Sequence, residues 1–268
     1  MSASRLSQLD FTSLRERLAE RDVAATAMVG ELRLLSGKQL RCLYFAADGF
    51  ATAETAARSC RRVLARLVRD RLLLRLERRI GGVRAGSDGY VYALGPVGER
   101  LLNSDVRRPR WHSVPTEKYV RHTLAASQLV VDTLLAERTG TLDVLAWQPE
   151  PRCWRRVPSP YGRVTLRADL YLALGVGEVE CRWFVEVDRS SQSIPALLSK
   201  CRLYESYYRS GVEQAEHGLF PRVLWVTPDQ RRADVLEGAI TADRRLTNGL
   251  FLVTTAERAL QVLTEATS

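Results

Sequence analysis

Apolar positions along the chain recur in two rhythms, one near 3.6 residues and one of two, and these predict helices and strands respectively. From residue 18 the order reads helix, helix, helix, strand, turn, strand. The first helix covers 18–35, with Val23, Ala27 and Leu32 or Leu34 as its stripe, and Ser36-Gly37 breaks it. A short helix over 38–45 follows. After Asp48-Gly49, Thr52 or Ala53 opens a third helix that runs to residue 70. In it Ala56, Cys60, Val63, Leu64 and Leu67 make one face to bury, while Arg58, Arg62, Arg66 and Arg69 line the other, with Arg61 beside them. Residues 72–76 and 90–94 are strands around a glycine-rich loop at 81–89.

The rest of the chain alternates helices with strands. A helix over 116–138 leads to a strand at 142–147. Two strands with period-two alternation come next. The first, 167–174, sets Leu170, Leu172 and Leu174 against Asp169, Tyr171 and Ala173; Gly175 and Gly177 turn the chain. The second sets Trp183, Val185 and Val187 against Phe184, Glu186 and Asp188. Ser193 and Pro195 open a helix with the apolar stripe Ile194, Leu197, Leu198, Cys201, Tyr204 and Tyr208, and Lys200 flanks that stripe. A strand at 222–227, a helix from 229, a strand at 249–254 and a helix at 256–263 complete the order α-β-β-β-α-β-α-β-α.

Folding the hairpin about Gly177 brings Asp169 nearly opposite Glu186, where facing Cβ atoms lie about 5 Å apart. Glu186 and Asp188 share a face of their strand. Facing carboxylates repel unless a proton, a cation or a basic side chain lies between them, and a hard divalent ion held by oxygens is a common resident. Asp169, Glu186 and Asp188 are therefore the expected ligands of Mg²⁺ or Mn²⁺, with Lys200 completing a catalytic set of four. A solvated, charged strand edge is the plain alternative.

Composition bounds the class. The 268 residues are 46% hydrophobic and 26% charged, ordinary for a soluble globular protein, and no charge-free run exceeds 11 residues. With no apolar leader at the start, a cytoplasmic protein without membrane contact is expected. Five scattered cysteines and three histidines give no zinc pattern. The net charge of +9 is uneven: residues 1–112 hold 21 Lys/Arg against 12 Asp/Glu, and 113–268 hold 19 of each. Two domains follow, 1–112 with a linker near its end and 113–268. Three helices and a β-ribbon describe a winged helix-turn-helix, whose third helix enters the major groove of double-stranded DNA. Lys38, Arg58, Arg61, Arg62, Arg66, Arg69 and, near the wing tip, Arg84 are the expected DNA contacts.

The expected class is thus a two-domain α+β protein, the winged helix joined to an α/β domain of restriction-endonuclease-like order with a mixed sheet. In that fold a D-Xn-(D/E)-x-K motif holds the metal and a lysine near the phosphate. Here Asp188 stands where the strand lysine would, Ala168 precedes Asp169 in place of proline, and Lys200 is the available substitute.

Taken with the winged helix, the segments VRHTLAAS (with His122), WQPE, RADLYLAL, FVEVDRSSQS, SKCRLYESYY and VLWVTP resemble the replication-relaxation proteins of actinobacteria and their plasmids. The resemblance implies a setting in plasmid replication or mobilisation, with replication or relaxosome proteins as partners; the oligomeric state stays open, a homodimer among the forms. Three functions stay open: a DNA-binding accessory protein with a nuclease-like domain, a metal-dependent DNA endonuclease (a nickase), and a transcriptional regulator.

Overall fold

The first long helix is shorter than its apolar stripe predicts. The computed structural model, which describes residues 8–46, 49–76, 89–102, 115–159 and 162–265, begins with α1 (Gln8–Arg17) and α2 (Glu20–Leu32). At Arg33 φ is +68°, which ends α2 and turns the chain into β1 (Leu34–Ser36). Leu34 and Leu35 are both fully buried, so they extend the stripe while leaving the helix. Ser36 then caps α3 (Gly37–Tyr44): the Gln39 amide donates to Ser36 Oγ at 3.2 Å, and the Ser36 amide donates back to Gln39 Oε1 at 2.8 Å. Thr52 caps α4 (Ala53–Arg69) by accepting from the Thr55 amide at 3.1 Å. The face of α4 with helical period is the buried one: Ala56, Cys60, Val63, Leu64 and Leu67.

β2 (Leu73–Leu76) and β3 (Val91–Leu94) complete a three-stranded antiparallel sheet in the order β1-β3-β2. Pro96 opens α5 (Pro96–Leu101). A Cβ on Gly98 would lie 2.3 Å from the Leu72 carbonyl oxygen, so only glycine allows α5 this close to the chain entering β2. The chain divides into two compact units, Met1–Ser127 and Gln128–Ser268, and the division falls within α6 (Glu117–Arg138). Val120, from the first turns of α6, joins Leu34, Val91 and Ala93 in the core of the first unit. Ser127 Oγ donates to the Leu34 carbonyl at 3.1 Å.

The second unit is built on a five-stranded mixed sheet. In chain order its strands are β4 (Asp143–Pro149), β7 (Leu170–Val176), β8 (Val179–Val187), β9 (Arg222–Thr227) and β10 (Phe251–Thr255), and in space they run β10-β9-β8-β7-β4. β4, β7 and β8 pair antiparallel; β8, β9 and β10 pair parallel. The parallel crossovers carry α7 (Ile194–Ser210) with α8 (Val212–His217), then α9 (Gln230–Ala242); α10 (Ala259–Glu265) follows β10. A separate two-stranded ribbon, β5 (Arg155–Ser159) with β6 (Gly162–Leu166), occupies a stretch for which no strand was expected. Its buried residues Val157 and Leu166 share one core with Tyr171, Phe184, Leu197, Tyr204, Val223 and Trp225. That core lies on the face of the sheet towards which Glu186 also points. Among the described residues there are ten helices, and none is long and apolar enough to cross a membrane.

Candidate functional site

In the first unit the arginines of α4 divide into three groups. Arg58 and Arg62, four residues apart on the exposed face, make no ion pair among the described residues. Arg61 and Arg69 are exposed but pair locally, with Glu54 at 3.1 Å and with Asp70 at 3.3 Å. Arg66 does something different: its Nη2 lies 2.5 Å from Oδ2 of Asp22, a residue with no exposed surface. The same Asp22 oxygen accepts from the Ala19 amide at 3.2 Å, closing the first turn of α2. Arg66 is thus a tie between α4 and α2. Lys38 is exposed on the first turn of α3. Arg84 lies outside the described residues.

In the second unit the β7–β8 hairpin turns at Gly177, where φ is +59°, and its register pairs Leu170 with Val185. Asp169 extends the ladder by one step. Its amide donates to the Val185 carbonyl at 3.3 Å, and its Oδ2 accepts from the Val187 amide at 2.8 Å. Glu186, 1% exposed, faces α7. Lys200 Nζ lies 2.5 Å from Glu186 Oε2, and the Tyr204 hydroxyl donates to Oε1 at 2.6 Å. One helical turn separates Lys200 from Tyr204, which is why both reach one carboxylate. Burial pushes the Glu186 carboxyl up to about 8; Lys200 opposes the rise and the nearby Asp169 adds to it. Burial disfavours the Lys200 charge, but Glu186 and Asp169 outweigh it and hold the ammonium above its ordinary value. Burial, with Asp169 and Glu186 adding to it, pushes the neighbouring Cys153 thiol up to about 12, so it carries no reactive thiolate.

Asp188 belongs to a different cluster. Its Oδ2 accepts from Arg232 Nε on α9 at 2.5 Å, and its Oδ1 accepts from the Ser190 amide at 2.9 Å. Arg232 also donates to the Gln192 carbonyl at 2.7 Å, so it fastens the segment joining β8 to α7. The structure therefore brings together Asp169, Glu186 and Lys200, and it draws Asp188 to Arg232.

Among the described residues no three Asp, Glu, His or Cys side chains are grouped to hold an ion, and both Glu186 oxygens already accept hydrogen bonds. Asp169 and Glu186 could hold a hard cation only if Lys200 gave way, and Glu186 would first have to lose its proton.

The replication-relaxation family model matches residues 27–223, nearly three quarters of the chain, from within α2 to the start of β9. The chain belongs to the replication-relaxation family. Its matched span takes in α4, both acidic clusters' strand residues and Lys200 alike, and the family points to a role in replication or mobilisation. A search of the curated proteins and one of the solved structures found no match.

Two residues at the site were not legible as partners in advance. Tyr204 reads as part of the apolar stripe of its helix, although its spacing of four from Lys200 is a signal that the two meet the same group. Arg232 gives no local signal, because only the parallel pairing of β9 with β8 brings α9 beside Asp188.

Proposed function

We propose that this family member is a DNA-binding accessory protein of plasmid or mobile-element replication and mobilisation. Its first unit acts as a winged helix-turn-helix and its second as a restriction-endonuclease-like module that holds its acidic site closed. The observation that carries DNA binding is the exposed face of α4, where Arg58 and Arg62 lack any carboxylate among the described residues. Guanidinium groups in that state are available to phosphate or to a guanine edge. Non-cleavage is supported by the bonding of Glu186, whose two oxygens are taken by Lys200 and Tyr204. Double-stranded DNA and replication or relaxosome proteins are the partners this reading requires.

Fluorescence anisotropy with duplex DNA across a salt series tests the binding claim. Arg58→Ala and Arg62→Ala should each lower the salt slope by about one, the signature of one lost phosphate contact. Unchanged slopes and affinities in both variants would refute it.

One observation favours a second reading, a Mn²⁺- or Mg²⁺-dependent nickase. Asp169 lies close enough to Glu186 to raise the cost of ionising it, and Lys200 stands beside them. On that reading Lys200 steadies the charge that develops on phosphate and the two carboxylates hold the ion. Supercoiled plasmid incubated with Mn²⁺ distinguishes the two. The accessory reading expects no nicking by the wild type. Nicking lost in both Lys200→Ala and Glu186→Gln would establish the nickase instead.

A further inference from the structure

The charge balance of the second half of the chain conceals a segregation. Between residues 152 and 167 there are five arginines and no carboxylate, whereas the rest of 113–268 holds 14 Lys/Arg against 19 Asp/Glu. The basic segment is the β5–β6 ribbon. Its register pairs Arg156 with Thr165 and Pro158 with Arg163, so these four share one face. All four are exposed. Arg167, one step past β6 on the same alternation, is exposed too, and its guanidinium stacks over the Trp154 ring at 5.0 Å from the centroid.

The opposite face is anchored. Val157 and Leu166 are fully buried in the main core of the unit, and Arg155 reaches across to the buried Glu213 at 3.0 Å. The ribbon is therefore held in place while its outer face is free.

Six arginines of this unit are matched to acids: Arg155 with Glu213, Arg182 with Glu180, Arg202 and Arg245 with Asp243, Arg209 with Glu205, Arg232 with Asp188. Arg156, Arg163 and Arg167 have no such partner among the described residues. Like charges on neighbouring positions of a ribbon oppose its formation. An anion laid across that face would relieve all three at once.

We propose that this face of the β5–β6 ribbon is a second DNA-binding surface, which takes the phosphate backbone of a duplex. Alternate residues of a strand are about 7 Å apart, so Arg163 and Arg167 bracket about 14 Å along β6, with Arg156 between them on the neighbouring strand opposite Thr165, in a staggered row. Such a row spans several phosphates of one strand at 3.4 Å of rise each. Arg167 rests over the Trp154 ring, and a guanidinium held on an aromatic face keeps its planar fork of N–H donors for phosphate. A two-stranded ribbon is also a shape that the major groove admits. This surface does not depend on α4 and carries no claim about cleavage.

The test uses the full chain and a short fluorescent duplex of mixed sequence. Binding is measured across a salt series for the wild type, for Arg156→Gln/Arg163→Gln/Arg167→Gln, and for the same three positions changed to Lys. The Gln variant should lower the salt slope by two to three and weaken binding more than about tenfold at low salt; the Lys variant should keep the wild-type slope. Circular dichroism melting of all three proteins checks the fold, and the single Arg163→Gln, at an exposed position, should by itself lower the slope by about one. A wild-type slope in both the triple and the single Gln variants overturns the proposal. So would loss of poly-glutamate binding with DNA binding intact, which would mark the face as a site for acidic protein. If Arg58→Ala and Arg62→Ala leave binding unchanged while the ribbon variants reduce it, the reading of α4 fails and this one stands.

Discussion

Two buried carboxylates with a basic partner 2.5 Å away invite comparison, Asp22 with Arg66 in the first unit and Glu186 with Lys200 in the second, where Asp188 with Arg232 and Glu205 with Arg209 are also this close. Their surroundings differ in ways that separate a strut from a site. Asp22 sits in the first turn of a helix, where the backbone amides favour negative charge, and its partner is an arginine, which keeps its proton at any working pH. Glu186 sits near the end of a strand with a second carboxylate close by, a tyrosine on its other oxygen, and a lysine for a partner. The first arrangement joins two helices. The second leaves a proton to be gained or lost, and with it the strength of the contact to α7. Burial of an ion pair alone therefore says little about function; the identity of the cation and the neighbouring acid say more.

The largest effect should come from breaking the strut. Arg66→Ala leaves Asp22 buried without its cation, and since Arg66 is itself 40% exposed, urea unfolding should show a loss of about 1–3 kcal/mol. A loss under about 1 kcal/mol would mean that Arg66 belongs with the exposed arginines of its helix after all.

The titratable pair gives a smaller effect with a definite sign. The folded-state value for Glu186, about 8, stands above its ordinary 4.5. Its contribution to stability is therefore complete below pH 4.5 and is lost as pH rises through about 8. Across that window the wild type should lose stability as pH rises, and Glu186→Gln should remove that slope. Parallel pH profiles for wild type and variant would show instead that Glu186 adds no titrating step to stability.

The smallest effect sharpens the contrast from the other side. Arg58→Ala and Arg62→Ala, unlike Arg66→Ala, should each change unfolding free energy by no more than about 0.5 kcal/mol, since neither residue supports a buried partner. A large loss in either variant would remove the distinction between tie and contact along α4.

Sequence pattern carried the elements that are long and regular. The buried and exposed faces of α4, the β7–β8 hairpin and the facing of Asp169 and Glu186 all follow from periodicity and from one turn glycine. It failed where elements are short. Leu34 and Leu35 continue a helical stripe, and only the left-handed turn at Arg33 shows that they belong to a strand. The β5–β6 ribbon is five residues a side, with Pro158 inside one strand and alternating arginines that read as solvated loop. Equal counts of acid and base then hid it in the charge balance. At the site, alternation placed Asp188 beside Glu186 on one strand face, but alternation carries no information about α9. Arg232 arrives there through the sheet order and takes Asp188 for itself.

The parallel join between β8 and β9 sets when the acidic site can come into being. β7 and β8 are linked by a tight turn and can pair as soon as both are made, whereas β9 must wait for the whole of α7 and α8. Until residues 222–227 dock, β8 is an open edge, and the burial that lifts Glu186 is not complete. Docking of the helix and the last strands then buries it, and the proton is taken up at that step. Refolding of the second unit should accordingly bind a proton late, so that its rate slows as pH rises towards 8 while hairpin formation does not.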